Sequence, residues 1–149
     1  MAHFITEKCT GCGVCEMKCP AAAITGVKKE RYRVFPNLCI DCRVCGQYCP
    51  VSAITDQDGQ VVERVKPKDI PKAVVLREEC SGCELCVGIC PHHAITLAPY
   101  NESDSYNRVA QVNARPCVGC RLCQDICIKE AIRIPELACI SHGRPSETP

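Results

Sequence analysis

Large aromatic side chains are scarce in this sequence of 149 residues, which contains no tryptophan, two phenylalanines and four tyrosines. A chain of this length with so few bulky side chains is expected to need disulfides, a bound metal or a partner to stabilise its core. An excess of charge of one sign is also missing, since the formal net charge is +1. Nucleic-acid binding through a strongly basic surface is therefore not expected.

Long apolar runs are missing as well, so the sequence predicts no membrane-spanning helix. The first residues, Met1 to Glu7, lack the basic and apolar regions of a secretory signal. We therefore expect a cytoplasmic protein in a reducing compartment, where structural disulfides are rare. Because dinucleotide-binding, P-loop and nucleophile motifs are also lacking, the sequence predicts a protein that is not an enzyme.

Cysteine, in contrast, is abundant, with 17 residues. Sixteen of them form four copies of the pattern C-x2-C-x2-C-x3-C. These are Cys9, Cys12, Cys15 and Cys19; Cys39, Cys42, Cys45 and Cys49; Cys80, Cys83, Cys86 and Cys90; and Cys117, Cys120, Cys123 and Cys127. Proline follows the last cysteine in three copies, and Ile128 takes its place in the fourth. The remaining Cys139 is predicted to be a spare thiol rather than a ligand.

The repeat extends beyond the cysteines, which indicates one structural unit used four times. Alanine stands four residues after the last cysteine of each copy, followed by isoleucine, and an apolar residue stands five before the first cysteine. The alanines are Ala23, Ala53, Ala94 and Ala131, and the earlier apolar residues are Phe4, Val34, Val75 and Val112. Each unit is predicted to contain a short strand, a cysteine loop, a helix of about two turns after the last cysteine, and another short strand.

Turn-forming residues divide the chain between these units. The polar residues 98–107, between the third and fourth copies, are predicted to be an exposed loop. Asp58-Gly59 indicates a hairpin turn between the second and third copies, and Pro67 and Pro71 interrupt regular structure there. We therefore predict a domain at residues 1–60, a linker at 61–71, a second domain at 72–136 and an irregular tail at 137–149.

The cysteine spacing favours iron–sulfur clusters. A cubane cluster needs four thiolates at the corners of a tetrahedron, and three cysteines spaced by two residues can wrap three iron corners from one loop. Gly11, Gly82 and Gly119, each before a second cysteine, allow the backbone to adopt positive φ close to the cluster, whereas Asp41 takes that place in the second copy. Zinc sites or a disulfide framework are the alternative interpretations of a cysteine-rich chain.

Residues 1 to about 60 resemble a bacterial ferredoxin with two [4Fe–4S] clusters, and residues about 72–136 resemble a second one. The resemblance implies an α+β fold of two tandem ferredoxin-like (βαβ)2 units, with short strands and short helices around four cubane clusters. In such ferredoxins the last cysteine of a motif binds the other cluster. The implied ligand sets are Cys9, Cys12, Cys15 and Cys49; Cys39, Cys42, Cys45 and Cys19; Cys80, Cys83, Cys86 and Cys127; and Cys117, Cys120, Cys123 and Cys90. A crossed scheme, similar to the dimethyl sulfoxide reductase type of subunit, instead pairs copy one with four and copy two with three.

The whole chain is similar to the electron-transfer subunits of large oxidoreductases. The resemblance implies electron transfer as the small iron–sulfur subunit of such a complex, of the tungsten or molybdenum aldehyde oxidoreductase, formate dehydrogenase or dimethyl sulfoxide reductase type. The expected partners are a catalytic oxidoreductase subunit together with a second redox partner, either a flavin subunit or a soluble carrier. Self-association of the ends into a chain or filament is a further expectation. The alternative is a free polyferredoxin that shuttles electrons between separate enzymes.

Charged side chains beside the cysteines are expected to tune the redox potentials. Asp41 should lower the potential of the neighbouring cluster, while Arg43 and Arg121 should raise theirs. His92 and His93 are predicted to be surface histidines.

Overall fold

The computed structural model describes residues 2–136, and this part of the chain is built from short elements. In chain order they are β1 (Phe4–Ile5), α1 (Val14–Lys18), β2 (Ile24–Thr25), β3 (Arg33–Val34), α2 (Val44–Tyr48), β4 (Ile54–Thr55), β5 (Val74–Val75), α3 (Leu85–Ile89), β6 (Ile95–Asn101), β7 (Asp104–Val112), α4 (Leu122–Asp125) and β8 (Ile132–Arg133). The expected mixture of short helices and short strands is confirmed. Cys139 and the predicted tail at 137–149 lie outside the described residues.

The strands form four antiparallel pairs. In the first part of the chain β1 pairs with β4 and β2 pairs with β3. In the second part β5 pairs with β8 and β6 pairs with β7. The two parts span residues 4–55 and 74–133. In each part the first strand pairs with the last strand, and the two middle strands pair with each other. We call these parts the N-terminal half and the C-terminal half.

Strand register corrects one element of the predicted repeat. Ile5 lies opposite Ile54, just as Val75 lies opposite Ile132. Ile5 packs against the core of its half, whereas Phe4 is 54% exposed. The inward apolar residue of the first copy is thus Ile5 and not Phe4, because the connection from this strand to the first cysteine is one residue shorter than in the other copies.

The helices lie inside the cysteine motifs, so the prediction of a helix after each fourth cysteine was wrong. Helix α1 begins two residues after Cys12 and ends immediately before Cys19. Cys19 has φ −68° and ψ 115°, and Cys49 and Cys90 are similarly extended. Since a residue that precedes proline avoids helical ψ, the Cys-Pro bonds stop the helices at this point. In the fourth copy, which lacks that proline, α4 also stops, with Ile126 at its carboxyl end.

Residues 98–107 form most of a β-hairpin rather than the predicted loop. Strands β6 and β7 pair from Ile95 opposite Val112 to Asn101 opposite Asp104, with a register irregularity after Pro99. A two-stranded ribbon accommodates this proline because one side of each strand has no ladder partner to lose. The turn expected at Asp58-Gly59 is present: Asp56 N–H donates to the Gln60 carbonyl at 2.9 Å, and Gly59 has φ 76°.

The core of each half consists largely of cysteines and small aliphatic residues. The four repeated alanines are all at most 1% exposed, and each isoleucine that follows one is buried too. Cysteines such as Cys15, Cys45, Cys86 and Cys123 belong to the same buried clusters. The scarcity of aromatic residues is thus matched by a core that surrounds its cysteines instead of packing bulky side chains.

Candidate iron–sulfur sites

Four cavities lie inside the two halves, and each is lined by four cysteines. Cavity one is lined by Cys9, Cys12, Cys15 and Cys49; cavity two by Cys19, Cys39, Cys42 and Cys45; cavity three by Cys80, Cys83, Cys86 and Cys127; and cavity four by Cys90, Cys117, Cys120 and Cys123. The structure thus brings together three cysteines of one motif and the last cysteine of the other motif in the same half. All sixteen predicted cysteines line a cavity.

The four cavities are similar in size. Their empty volumes, counting space that opens to solvent, are about 290, 300, 350 and 340 Å³ in the order one to four. A single zinc ion bound by four sulfurs at about 2.3 Å would leave no such space between the thiols. The cavities are therefore better suited to a larger group held between four thiols than to a single ion.

The loop before each second cysteine has positive φ in all four copies. The residues are Gly11, Asp41, Gly82 and Gly119, with φ values of 67°, 55°, 68° and 71°. At Gly11 a Cβ atom would stand 2.5 Å from the backbone nitrogen of Glu30. The predicted use of glycine for positive φ is confirmed, and Asp41 adopts the same conformation despite its side chain.

Backbone N–H groups donate to the cysteine sulfurs around the cavities. Ala23, Ala53 and Ala94 each donate to the last cysteine of their own motif, all at 3.3 Å. The preceding residues have φ between 48° and 49°, which aims these N–H groups back at the sulfur. The hydrogen bond needs only a backbone N–H, so the complete burial of all four alanines is what favours a small side chain at this position. Such N–H donors are the type that stabilises thiolate ligands and raises cluster potentials.

Burial suppresses ionisation of the cavity thiols in the absence of metal. Desolvation, the largest cause, and the charges of nearby thiols together raise the pKa of Cys15 and of Cys42 to about 11 and that of Cys123 to about 12. The pKa of Cys45 is raised as well, for the same reason. These groups become thiolates readily only when a cation replaces their protons, which is the behaviour of metal ligands.

Cavity two has a buried histidine at its wall that the sequence did not reveal. His3 is 1% exposed, lines this cavity, and places its Nδ1 atom 3.1 Å from an Asp41 carboxylate oxygen and 3.9 Å from Cys39 Sγ. Burial lowers the pKa of His3, with the Asp41 charge acting against it. Arg43 forms an ion pair with the buried Asp56 at 3.3 Å. The predicted tuning residues Asp41 and Arg43 thus both have partners beside this cavity.

His92, predicted to be a surface histidine, is partly buried and contributes to the wall of cavity four. Its pKa is lowered, first by burial, while the Lys18 backbone acts in the opposite direction. His93 is exposed, as expected. Within residues 2–136, the buried Nε2 atoms of His3 and His92 have no hydrogen-bond partner. Cavities two and four therefore each have a histidine at the wall whose Nε2 atom has no hydrogen-bond partner within the described residues.

Tyr32 belongs to the same buried cluster as Cys15, a cysteine of cavity one, and was also missed. Its ring is buried, and its hydroxyl lies 3.0 Å from where a Cβ atom of Gly13 would stand. In the C-terminal half Leu97 and Ala110 of the hairpin line cavity three. The Ala110 N–H donates to Cys80 Sγ at 3.4 Å.

Three observations indicate that the residues around the cavities fit [4Fe–4S] clusters. Each cavity has four thiols, N–H donors point at sulfurs around the cavities, and burial would keep the thiols protonated without metal. When bound, such a cluster supplies the ability to take up and release one electron. Among residues 2–136, no group of three or more His, Cys, Asp or Glu side chains is arranged to hold a single metal ion.

Comparison with known proteins identifies the class. A family model described as a 4Fe-4S dicluster domain matches residues 38–94 and 79–131, and a second model of the same description matches residues 8–54. The first model alone spans more than half of the chain. This protein therefore belongs to the 4Fe-4S dicluster ferredoxin family, and iron–sulfur electron transfer is its class of function.

Two similar proteins match this chain to different extents. A heterodisulfide reductase subunit-like protein of Archaeoglobus profundus (strain DSM 5631 / JCM 9629 / NBRC 100127 / Av18) is 59% identical over 27 residues, which is 18% of this chain and 4% of that protein. A chain in the formate dehydrogenase–heterodisulfide reductase–formylmethanofuran dehydrogenase complex from Methanospirillum hungatei is 25% identical, with a TM-score of 0.45. That match covers 84% of this chain and 47% of the other. The chain thus spans less than half the length of either relative. No helix within the described residues is long and apolar enough to cross a membrane.

Proposed function

We propose that this protein carries electrons through four [4Fe–4S] clusters and catalyses no reaction of its own. The supporting observation is that every cavity is lined by three cysteines of one motif and the last cysteine of its neighbour. This is the ligand pattern of two-cluster ferredoxins. The sixteen cysteines would hold the irons, while the backbone N–H donors stabilise the thiolates and the small aliphatic residues exclude water.

We further propose that the clusters are paired in tandem, in domains 1–60 and 72–136 joined by the linker 61–71. Two observations support this arrangement over the crossed scheme. Cavities one and two take their cysteines from copies one and two, and cavities three and four take theirs from copies three and four. The strand pairs likewise join residues within 4–55 and within 74–133.

Iron and sulfide analysis of the anaerobically purified protein tests the cluster number. We expect about sixteen irons per chain, with matching sulfide, because each cluster contains four irons. Stoichiometric zinc with little sulfide would contradict the proposal.

Two double variants test the pairing, since both remove two cysteines. Cys15→Ala with Cys49→Ala should damage one cluster, leaving about twelve irons in three intact clusters. Cys15→Ala with Cys127→Ala should damage two clusters, as seen in the electron paramagnetic resonance (EPR) spectrum of the reduced protein. The crossed scheme predicts the reverse order of damage.

We propose that the physiological setting is a multisubunit oxidoreductase, in which this chain works with a catalytic subunit plus a second redox partner. Two exposed ligands, Cys12 and Cys83, lie in different halves and offer two places for electron exchange. The short match to a heterodisulfide reductase subunit-like protein is compatible with a redox complex but names no partner. Tungsten or molybdenum aldehyde oxidoreductase remains one candidate partner among the types named above. A native gel of material purified from its source separates the alternatives: a large complex supports the subunit role, and a lone monomer supports the free shuttle.

A further inference from the structure

The segment that joins the halves contacts the second motif at one end and the fourth motif at the other. Val65 N–H donates to the carbonyl of Gln47, in α2, at 2.9 Å. At the other end the Lys72 ammonium donates to the carbonyl of Cys117 at 2.7 Å. Gly119 lies so close to the carbonyl of Pro71 that a Cβ atom would overlap it. The segment therefore fixes α2, beside cavity two, near the loop of cavity four.

Buried side chains of the joining segment pack at both places. Val62 is 8% exposed and lies so close to Gly46, in α2, that a Cβ atom there would overlap it. Ile70 is 2% exposed, and its Cγ2 atom lies 3.6 Å from where a Cβ atom of Gly119 would stand. Asp69 N–H donates to the carbonyl of Lys66 at 2.8 Å, so the segment turns between these two contacts. The segment thus packs on α2, beside cavity two, and on the loop of cavity four.

The exposure of the second cysteine of each motif separates cavities one and three from cavities two and four. Cys12 and Cys83, in cavities one and three, are exposed, whereas Cys42 and Cys120, in cavities two and four, are partly buried. Val118, in the loop of cavity four, is 2% exposed, while Ser81 at the same position in the third motif is exposed. Cavities one and three thus reach solvent through a ligand, and cavities two and four face the contact between the halves.

We propose that electrons pass between the clusters in the order one, two, four, three, so that the spatial order differs from the order of the motifs along the chain. This inference rests on the proposed function. Clusters two and four would form the central pair, and clusters one and three would be the terminal sites at which partners give and take electrons. Each transfer moves one electron from a reduced cluster to its oxidised neighbour and breaks no bond. A reduced partner at one terminal site is the donor, and an oxidised partner at the other is the acceptor.

Two matched variants of the C-terminal half test this order, with the magnetic coupling between reduced clusters as the measured quantity. Two reduced clusters that lie close together broaden each other's EPR signals. Cys83→Ala with Cys86→Ala removes cluster three, and Cys120→Ala with Cys123→Ala removes cluster four. We expect the coupling between the halves to persist in the first variant and to be lost in the second. Loss in the first variant and persistence in the second would overturn the proposal in favour of the chain order, two next to three.

Alkylation of the unaltered holoprotein gives a second measurement that does not depend on the folding of variants. During slow oxidation by a hydrophilic oxidant, a thiol reagent traps cysteines as their clusters are lost, and mass spectrometry identifies them. We expect Cys12 and Cys83 to be modified before Cys42 and Cys120. Earlier modification of Cys42 and Cys120 would overturn the proposed order, even in a protein that contains its sixteen irons and therefore satisfies the proposed function.

Discussion

Two glycines six residues apart in the third motif provide a sharp test of how the cysteine loops are built. Gly82 has φ 68°, and a Cβ atom there would overlap the carbonyl oxygen of Arg108 in the hairpin. Gly88 lies in α3, is exposed, and has no atom within 4 Å of the Cβ position. The same substitution by alanine therefore meets opposite conditions at the two positions.

Gly82→Ala should destabilise the holoprotein by about 2–5 kcal/mol. The left-handed conformation costs roughly 1–2 kcal/mol for a residue with a Cβ atom. The overlap with backbone, which cannot rotate away, adds roughly 1–3 kcal/mol. Gly88→Ala should instead stabilise by about 0.5 kcal/mol, because alanine has a higher helix propensity than glycine and Gly88 lies next to the end of a short helix.

Anaerobic denaturant unfolding, followed by visible cluster absorbance and by circular dichroism, measures both variants against the unaltered protein. The readouts are the midpoint of unfolding and the rate at which iron is released. Iron content before unfolding serves as a control, because a variant that never acquired cluster three would start with fewer irons. Equal effects of the two substitutions, or a stable Gly82→Ala variant with full iron content, would refute the reasoning from loop geometry.

Four further outcomes are expected. Removing iron with a chelator should abolish cooperative unfolding, since the clusters fill the cores; an iron-free chain with native-like circular dichroism would contradict this. Cys139→Ser should leave iron content and electron transfer unchanged, and loss of a cluster would show that this thiol is a ligand. Asp41→Asn should raise the potential of cluster two in a redox titration, because a negative charge beside it is removed; an unchanged potential would mean that solvent screens this carboxylate. Cluster reconstitution into the iron-free chain should accelerate with pH and level off near pH 8.5, because thiolates are the ligands and an unfolded chain exposes thiols of ordinary pKa. A rate that keeps rising above about pH 9 would show that the iron-free chain already buries Cys15 and Cys42, whose pKa burial raises to about 11 in the folded structure.

The sequence was most informative where chemistry dictates spacing. The sixteen cysteines were identified from the repeat, because a loop that wraps a cubane needs cysteines at fixed intervals. The positive φ at Gly11 was predictable for the same reason. Their grouping into four cavities matches the sets implied by the ferredoxin resemblance, while their role as cluster ligands stays a prediction.

The helices and the hairpin were predicted in the wrong places because local sequence preferences do not show how the cysteine loops fold. A helix of five residues is too short to leave a periodic pattern, and the Cys-Pro bond that ends it was interpreted only as a ligand signal. The polar residues of the hairpin suggested a loop, although their two strands satisfy each other's backbone groups. Pro20, Pro50 and Pro91 mark the ends of three of the four helices, whereas α4 ends without a proline.

The buried side chains around the cavities could not be predicted from the sequence, because their positions depend on the tertiary fold. His3 has no motif of its own, and its proximity to Asp41 depends on a strand pairing between residues about fifty positions apart. Tyr32 likewise closes over Gly13 only because β2 and β3 fold together. The repeated alanines were visible in the sequence, but their hydrogen bonds to sulfur could be recognised only from the backbone conformation.

The β6–β7 hairpin makes the two ends of an internally duplicated molecule unlike. It stands beside the loop of Cys83, where Arg77 holds it by hydrogen bonds to the carbonyls of Pro99 and Tyr100, and it projects Tyr106, which is 95% exposed. The N-terminal half has no counterpart among its described residues, because β2 and β3 are two residues long. If both terminal sites looked alike, a donor and an acceptor could bind at the same site. Electrons would then pass between the two partners without using the other clusters. This hairpin is the largest departure from the repeat among residues 2–136, so it would allow a donor and an acceptor to distinguish the two terminal sites of the proposed order.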